Sequence, residues 1–138
     1  MIFHLIYVSS ALRPFAPADL DDLLIQSRAA NLSAGLTGML IYGGGNFMQL
    51  LEGPRAAVDA LYDRIARDRR HYDVTLLLQM ETAERWCGTW AMAYAAKAGQ
   101  KDIAGFVNLV ENGGAILTDL ADDHLARRIM NRFIVGNG

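Results

Sequence analysis

The sequence predicts an α+β fold of the ferredoxin-like kind, and two observations support this prediction. The segments follow the order βαββαββ and then two helical stretches, and the first six elements match the split βαβ pattern. Residues 2–8 are largely apolar on both alternation sets, which is typical of a strand covered on both faces. We therefore expect two helices on one face of the sheet and a C-terminal helical pair on the other.

The first strand and the first helix are each marked by local signals. Residues 2–8 (IFHLIYV) are rich in β-forming residues and end at Ser9-Ser10. Pro17 suits the first turn of a helix, and the acidic residues that follow lie near its positive end. Apolar side chains at helical spacing then predict an amphipathic helix over 17–30.

A glycine run separates the next two predicted strands, Leu36–Tyr42 and Asn46–Leu51. Gly43–Gly45 supplies the positive φ values that a tight hairpin requires. A phosphate-binding loop would open a helix, whereas this run joins two strands. The hairpin is therefore the favoured interpretation.

The second half of the chain continues the alternation of helix and strand. Pro54 begins a helix with an apolar stripe that reaches Ile65. Strands are expected at 72–81 and at about 88–95. Two helical stretches near 101–111 and 118–134 end the chain.

Length and composition indicate one domain. The chain has 138 residues and is 52% hydrophobic, enough to bury a core without a disulfide or metal. We expect residues 1–97 to form the core and residues 98–138 to form a helical cap of the same domain.

Charge and cysteine content limit the setting. The net charge of −2 argues against nucleic-acid binding, which favours a basic surface. Cys87 is the only cysteine, so no internal disulfide can form and a cytoplasmic location is expected. The sequence has neither a signal peptide pattern nor an apolar run long enough to span a membrane, so no membrane association is expected.

Motifs of known catalytic chemistry are absent from the sequence. It contains no GxSxG, P-loop, GxGxxG after a strand, or HExxH. Its cysteine and histidines are too widely spaced for a recognised zinc motif, so no metal site is expected. We therefore expect a protein that is not an enzyme.

Three groups of residues still call for an explanation. Gln49 shares a strand face with Phe47 and Leu51, and such a glutamine is either a satisfied core residue, an exposed edge residue or part of a site. The segment RIARDRRH at 64–71 is either favourable charge at a helix end or an anion-binding site. The pair Trp90 and Met92 on one strand face is typical of core packing.

Together these segments resemble the BLUF family, sensors of blue light using FAD. The opening LIYVS resembles the family's first strand, and SRAANLSAGLTGMLIYGGGNFMQLLEGP at 27–54 resembles its SRxxN…GxTGxLxY…FxQxLEG core. RIARDRRH resembles the segment after the second helix, and WCGTWAM the fifth strand. The resemblance covers about residues 2–95 and implies a ferredoxin-like sheet with a flavin ring held between the first two helices.

The resemblance also implies roles for individual residues. Tyr7 matches the family's electron and proton donor to the excited flavin, and Gln49 the glutamine that links this tyrosine to the ring. Asn31 matches the asparagine at the C4 carbonyl edge, although Ala30 stands where many members carry a second asparagine. The other residues implied to contact or border the cofactor are Arg28, Arg64, Asp68, Arg70 and His71. Trp90 and Met92 match the fifth-strand pair proposed to pass the signal on.

The expected function is therefore a blue-light photoreceptor with FAD as its cofactor and FMN as the alternative cofactor. The alternative is a small ferredoxin-like enzyme such as an acylphosphatase-like hydrolase, but the loop SSALRP lacks the arginine-and-asparagine phosphate site such an enzyme needs. An RNA-binding module would need a basic surface and exposed aromatic residues.

An effector domain does not fit in this length, so we expect a downstream protein partner or homo-oligomer formation.

Overall fold

The computed structural model describes residues 1–87, 93–95 and 106–107, together with residues 125, 128–129, 132–133 and 136 near the C-terminus. Its elements follow the order βαββαβ and then two short strands. They are β1 (Ile2–Ala11), α1 (Pro17–Ala34), β2 (Thr37–Gly43), β3 (Asn46–Gly53), α2 (Arg55–Ala66), β4 (His71–Thr82), β5 (Ala93–Ala95) and β6 (Phe106–Val107).

The strands form one sheet in the order β4-β1-β3-β2-β5-β6. The first four pair antiparallel in the ferredoxin-like arrangement, whereas β5 and β6 each pair parallel to the preceding strand in the sheet. The hairpin between β2 and β3 turns at Gly44 and Gly45, whose φ values are 57° and 78°. The predicted α+β fold is confirmed.

Both helices cover the same face of this sheet, which we call the near face. Leu20 of α1 and Val58 of α2 are buried against it. Sheet residues of this layer share one alternation set and are Phe3, Leu5, Tyr7, Leu40, Phe47 and Leu51. The two helices leave a space between them over the middle of β1 and β3, where the candidate site lies.

The opposite, or far, face has its own apolar cluster. Its sheet residues are Ile6, Met39, Ile41, Met48 and Leu50. Phe133 is buried in this cluster and Ile129 packs against it, and both residues are helical. A strand such as β1 is thus apolar on both sides because both sides are covered.

Several element boundaries differ from the sequence prediction. Strand β1 runs past Ser9 to Ala11 because it pairs with both β3 and β4, and Ser10 donates to the side chain of Asn46. Helix α1 continues to Ala34 and ends where Gly35 adopts a left-handed φ of 71°.

The predicted helix at 101–111 is wrong at Phe106–Val107, which form strand β6 beside β5. Both residue types favour strands, and pairing with β5 outweighs the helical spacing of the surrounding apolar residues. Residues 88–92, including Trp90 and Met92, lie outside the described residues. Within the described part of the chain, no helix combines the length and apolar character needed to cross a membrane.

Candidate functional site

Tyr7 and Gln49 form a hydrogen-bonded pair at the centre of the near face. They are directly opposite each other on β1 and β3. The Tyr7 hydroxyl donates to Gln49 Oε1. Side chains opposite each other on antiparallel strands point to the same face. Strand register alone therefore brings together two polar groups that are 42 positions apart in sequence.

Both side chains of this pair are almost completely buried, with exposed fractions of 3% for Tyr7 and 5% for Gln49. Burial raises the pKa of Tyr7 far above its usual value, and the nearby Tyr62 and Asp68 raise it further. Tyr7 is therefore a neutral hydrogen-bond donor over the whole physiological range. The ring of Tyr62 lies 5.6 Å from that of Tyr7, centroid to centroid.

A cavity of about 200 Å³ opens between α1 and α2 above this pair. Its apolar walls come from both helices and the sheet and include Leu23, Leu40, Phe47 and Leu61. Its polar lining includes Ser27, Asn31, Gln49 and Arg64. Apolar walls with a few placed polar groups are the usual composition of a site for a small organic molecule.

Charged residues lie where α2 passes into β4. The Arg70 guanidinium bonds both carboxylate oxygens of Asp68, with Nη2 2.6 Å from Oδ2. This hydrogen bond from Arg70 holds the pKa of the Asp68 carboxyl below its usual value, although burial opposes it. Arg70 is therefore paired with Asp68, whereas Arg64, in the last turn of α2, lines the cavity.

His71 joins three elements at the edge of the cavity. Its Nε2 lies 2.6 Å from the carbonyl oxygen of Ile65 and donates to it. Its Nδ1 lies 2.7 Å from Ser9 Oγ. Both ring nitrogens thus bond the protein, so His71 can border a bound molecule and position the wall around Tyr7.

The structure brings seven of the eight residues implied as cofactor contacts around one cavity: Tyr7, Asn31, Gln49, Arg64, Asp68, Arg70 and His71. Arg28 is not among the lining residues. Ala30 lines the cavity next to Asn31, at the position where many family members have asparagine.

Sequence reasoning missed the aromatic end of the cavity. Phe15 lines it and packs edge-on against Phe47, with ring centroids 5.0 Å apart. The backbone N–H of Phe15 donates to the hydroxyl of Tyr42 at 3.0 Å. The sequence signal for it is the aromatic Phe15 in the short segment between Pro14 and Pro17.

The fold and this cavity are those of a cofactor-binding domain. The model of the family "BLUF: Sensors of blue-light using FAD" matches residues 2–93, which is most of the chain. The chain therefore belongs to the BLUF family, whose members are blue-light photoreceptors with FAD as the cofactor.

Known proteins of this family resemble the chain in sequence and in fold. The photoactivated adenylate cyclase subunit alpha of Euglena gracilis is 40% identical over 88 residues, which are 64% of this chain and 9% of that protein. BlrP1 of Klebsiella pneumoniae, solved as a manganese and cyclic diGMP complex, is 28% identical with a TM-score of 0.79, covering 98% of this chain and 33% of BlrP1. Another BlrP1 structure contains FMN and cyclic diGMP.

BlrB, a BLUF protein solved in its dark state, superimposes with a TM-score of 0.71 at 26% identity. That match covers 98% of this chain and 96% of BlrB. The chain spans about a tenth of the length of the curated cyclases and a third of BlrP1. BLUF domains therefore occur both as most of a chain and as a small part of a larger one.

Proposed function

We propose that the hydrogen-bonded pair Tyr7–Gln49 is the light-operated switch of this photoreceptor. The observation that supports the proposal is the direct bond from the buried Tyr7 hydroxyl to Gln49 Oε1 at the base of the cavity. Bound FAD supplies the absorption of blue light and the redox chemistry. The chain supplies the neutral Tyr7 hydroxyl as a donor, the Gln49 amide beside it, and burial of both groups from solvent.

The Gln49 amide has two chemically different ends. Its oxygen accepts hydrogen bonds and its nitrogen donates two. With Oε1 directed at the Tyr7 hydroxyl, that hydroxyl is the donor of the pair. If the amide rotates, the nitrogen faces the hydroxyl and Tyr7 must accept instead. The pair thus has two hydrogen-bonded arrangements that differ without any covalent change, as a switch requires.

The residues around the cavity suit a flavin. The apolar side chains of Leu23, Leu40 and Leu61 can cover the faces of a flat ring. The buried Asn31 and Gln49 can form hydrogen bonds with the polar atoms at the edge of the ring. The guanidinium of Arg64 can donate to the ring's carbonyl oxygens. We propose FAD as the occupant, as in the family description, and FMN as the competing one.

An absorption spectrum before and after blue light tests the proposal. We expect the purified protein to carry oxidised flavin and to shift its main band to the red, with recovery in darkness. Tyr7→Phe and Gln49→Leu should each retain flavin and lose the normal shift, because each keeps most of the side-chain volume while removing the bonding group.

Tyr62→Phe is the matched control for Tyr7→Phe, because its ring lies beside that of Tyr7 but its hydroxyl is outside the pair. It should retain a full, reversible shift. A full shift in either pair variant, or a colourless protein that flavin cannot reconstitute, would contradict the assignment.

We further propose that the domain turns over no substrate and acts on a downstream protein partner, with homo-oligomer formation as a second route for the signal. Support comes from the effector activities named in relatives such as the photoactivated cyclase. We propose that the signal leaves the core at 1–97 through Trp90 and Met92. It would then reach a C-terminal helical cap over 98–138. The buried free thiol of Cys87 supports a cytoplasmic setting. The hydrolase alternative has no support among the relatives.

A further inference from the structure

A second polar cluster lies on the far face of the sheet, at the end where the chain leaves β4. His4 of β1 and Glu52 of β3 are directly opposite each other and have no solvent-exposed side-chain surface. His4 Nδ1 lies 3.0 Å from Glu52 Oε2. The ring of Trp86 stacks on the His4 ring, with centroids 3.7 Å apart and planes 14° from parallel.

Glu52 is surrounded by donors. Besides His4, it accepts hydrogen bonds from the backbone N–H groups of Trp86 and Cys87, at 2.8 and 2.7 Å, and from Thr37 Oγ1 at 2.8 Å. Arg85 Nη1 in turn donates to Thr37 Oγ1 at 2.8 Å, so the Thr37 proton points to the carboxylate. The two backbone N–H groups donate to different oxygens of Glu52, and although burial alone would raise the pKa of this carboxyl, its hydrogen bonds hold the pKa below the usual value, so the group is ionised.

The partners of His4 decide its protonation state. Thr82 Oγ1 has a single proton and donates it to the carbonyl oxygen of Glu84 at 2.9 Å. Its 2.6 Å contact with His4 Nε2 is therefore a bond that His4 donates. Since the ionised Glu52 can only accept, Nδ1 donates as well. With protons on both nitrogens, His4 is an imidazolium paired with Glu52, and the other ionisable groups around Glu52 are Arg85 and Cys87.

This cluster and the proposed light switch lie on the same two strands. The pairs Tyr7–Gln49 and His4–Glu52 are both cross-strand partners of β1 and β3, three positions apart on each strand. They point to opposite faces because three is an odd number of strand positions. A shift of β3 relative to β1 that accompanies amide rotation at Gln49 would also move Glu52 against His4.

Glu52 also holds the backbone that follows β4, through the N–H groups of Trp86 and Cys87. That backbone leads towards β5. We propose that His4 and Glu52 form a buried imidazolium–carboxylate pair that links the state of the Tyr7–Gln49 switch to the backbone at Trp86 and Cys87. Both are positioning residues in this scheme, and the coupling, though not the ion pair itself, rests on the proposed function.

The charge state is tested by NMR of the flavin-loaded protein labelled with ¹⁵N in its histidine rings, at neutral pH in the dark. We expect both ring nitrogens of His4 to carry protons and to show couplings to them. His71 is the internal reference, because Ser9 Oγ can donate to its Nδ1 and allow a neutral ring. One unprotonated nitrogen on His4 would overturn the ion pair, and this result requires no variant.

The coupling is tested by hydrogen exchange of the Trp86 and Cys87 amides in darkness and under blue light. We expect illumination to change their exchange rates by about fivefold or more, the lower end of usual coupling between two sites. Thr82→Val removes the acceptor of His4 Nε2 with little change in volume and should abolish this difference. Thr75→Val is the control, because the Thr75 hydroxyl lies on the same strand but donates to the exposed backbone carbonyl of Asp73, away from His4.

The flavin spectrum, recorded on the same samples, separates the two hypotheses. A normal red shift with unchanged exchange at Trp86 and Cys87 would overturn the coupling. A light difference that survives in Thr82→Val, or that disappears equally in Thr75→Val, would overturn the role of His4. Absence of a red shift from the wild-type protein would instead refute the proposed light switch.

Discussion

Replacement of Glu52 by glutamine should be among the most damaging single polar substitutions in the described part of this protein. The Glu52 carboxylate has no exposed surface and accepts from four donors. Glutamine retains one oxygen and places an NH₂ group where the other oxygen was. In either orientation that NH₂ faces a backbone N–H, of Trp86 or of Cys87, and His4 loses its counter-charge. Breaking a buried ion pair by removing one partner costs about 3–5 kcal/mol.

The measurement is the free energy of unfolding from urea titration of the flavin-saturated protein. Glu81→Gln is the matched control, because Glu81 forms an exposed ion pair with Arg55 at 3.7 Å. Such surface pairs contribute about 0–1 kcal/mol. If Glu52→Gln costs less than about 1 kcal/mol, or no more than Glu81→Gln, the buried-pair reasoning is wrong.

The Glu52 carboxyl also predicts that the free energy of unfolding depends on pH. Burial on its own would raise the pKa of the Glu52 carboxyl, but hydrogen bonds from His4, Trp86, Cys87 and Thr37 bring it below its usual value. A depressed pKa in the folded state adds stability that is fully present above the unfolded-state pKa, about 4.3. This stability is lost as the pH falls through the folded-state value. Urea titrations between neutral pH and pH 3 should therefore show a smaller acid loss in Glu52→Gln than in the wild type.

Two further substitutions test the site and its frame. Asn31→Ala should weaken flavin binding by about 5- to 150-fold, because Asn31 is buried in the cavity. Arg70→Ala should weaken flavin binding by about fivefold at most, because Arg70 is half-exposed and already bonded to Asp68. Flavin titration decides this, and equal or reversed losses would contradict it. Gly53→Ala should lose about 1–3 kcal/mol or more, because Gly53 has a φ of 152° and a Cβ there would lie 2.5 Å from Leu36 Cδ2. Gly136→Ala, where a Cβ meets nothing within 4 Å, should be nearly neutral in the same urea titration.

Much of the cavity could be predicted from the sequence because its residues belong to contiguous motifs with fixed spacing. Tyr7 and Gln49 stand at strand positions where apolar neighbours made them conspicuous, and the family motifs pointed to Asn31 and to the segment 64–71. The same signals could not show that His71 bonds Ser9 and Ile65, or that Arg70 pairs with Asp68. Those partners depend on how α2 meets β4 in space.

The sequence by itself determined the order of the first six elements, the α+β class and the family, because periodicity, turn residues and motif spacing are local properties of the chain. Only the tertiary structure decided which strands are neighbours. Pairing with β5 in particular makes Phe106–Val107 a short strand where a helix was predicted. It also decided the pairing of His4 with Glu52, whose side chains are 48 positions apart. Strand register sets that contact. Because β1 and β3 are not joined by a hairpin, no turn fixes their register, which follows from the packing of the whole sheet.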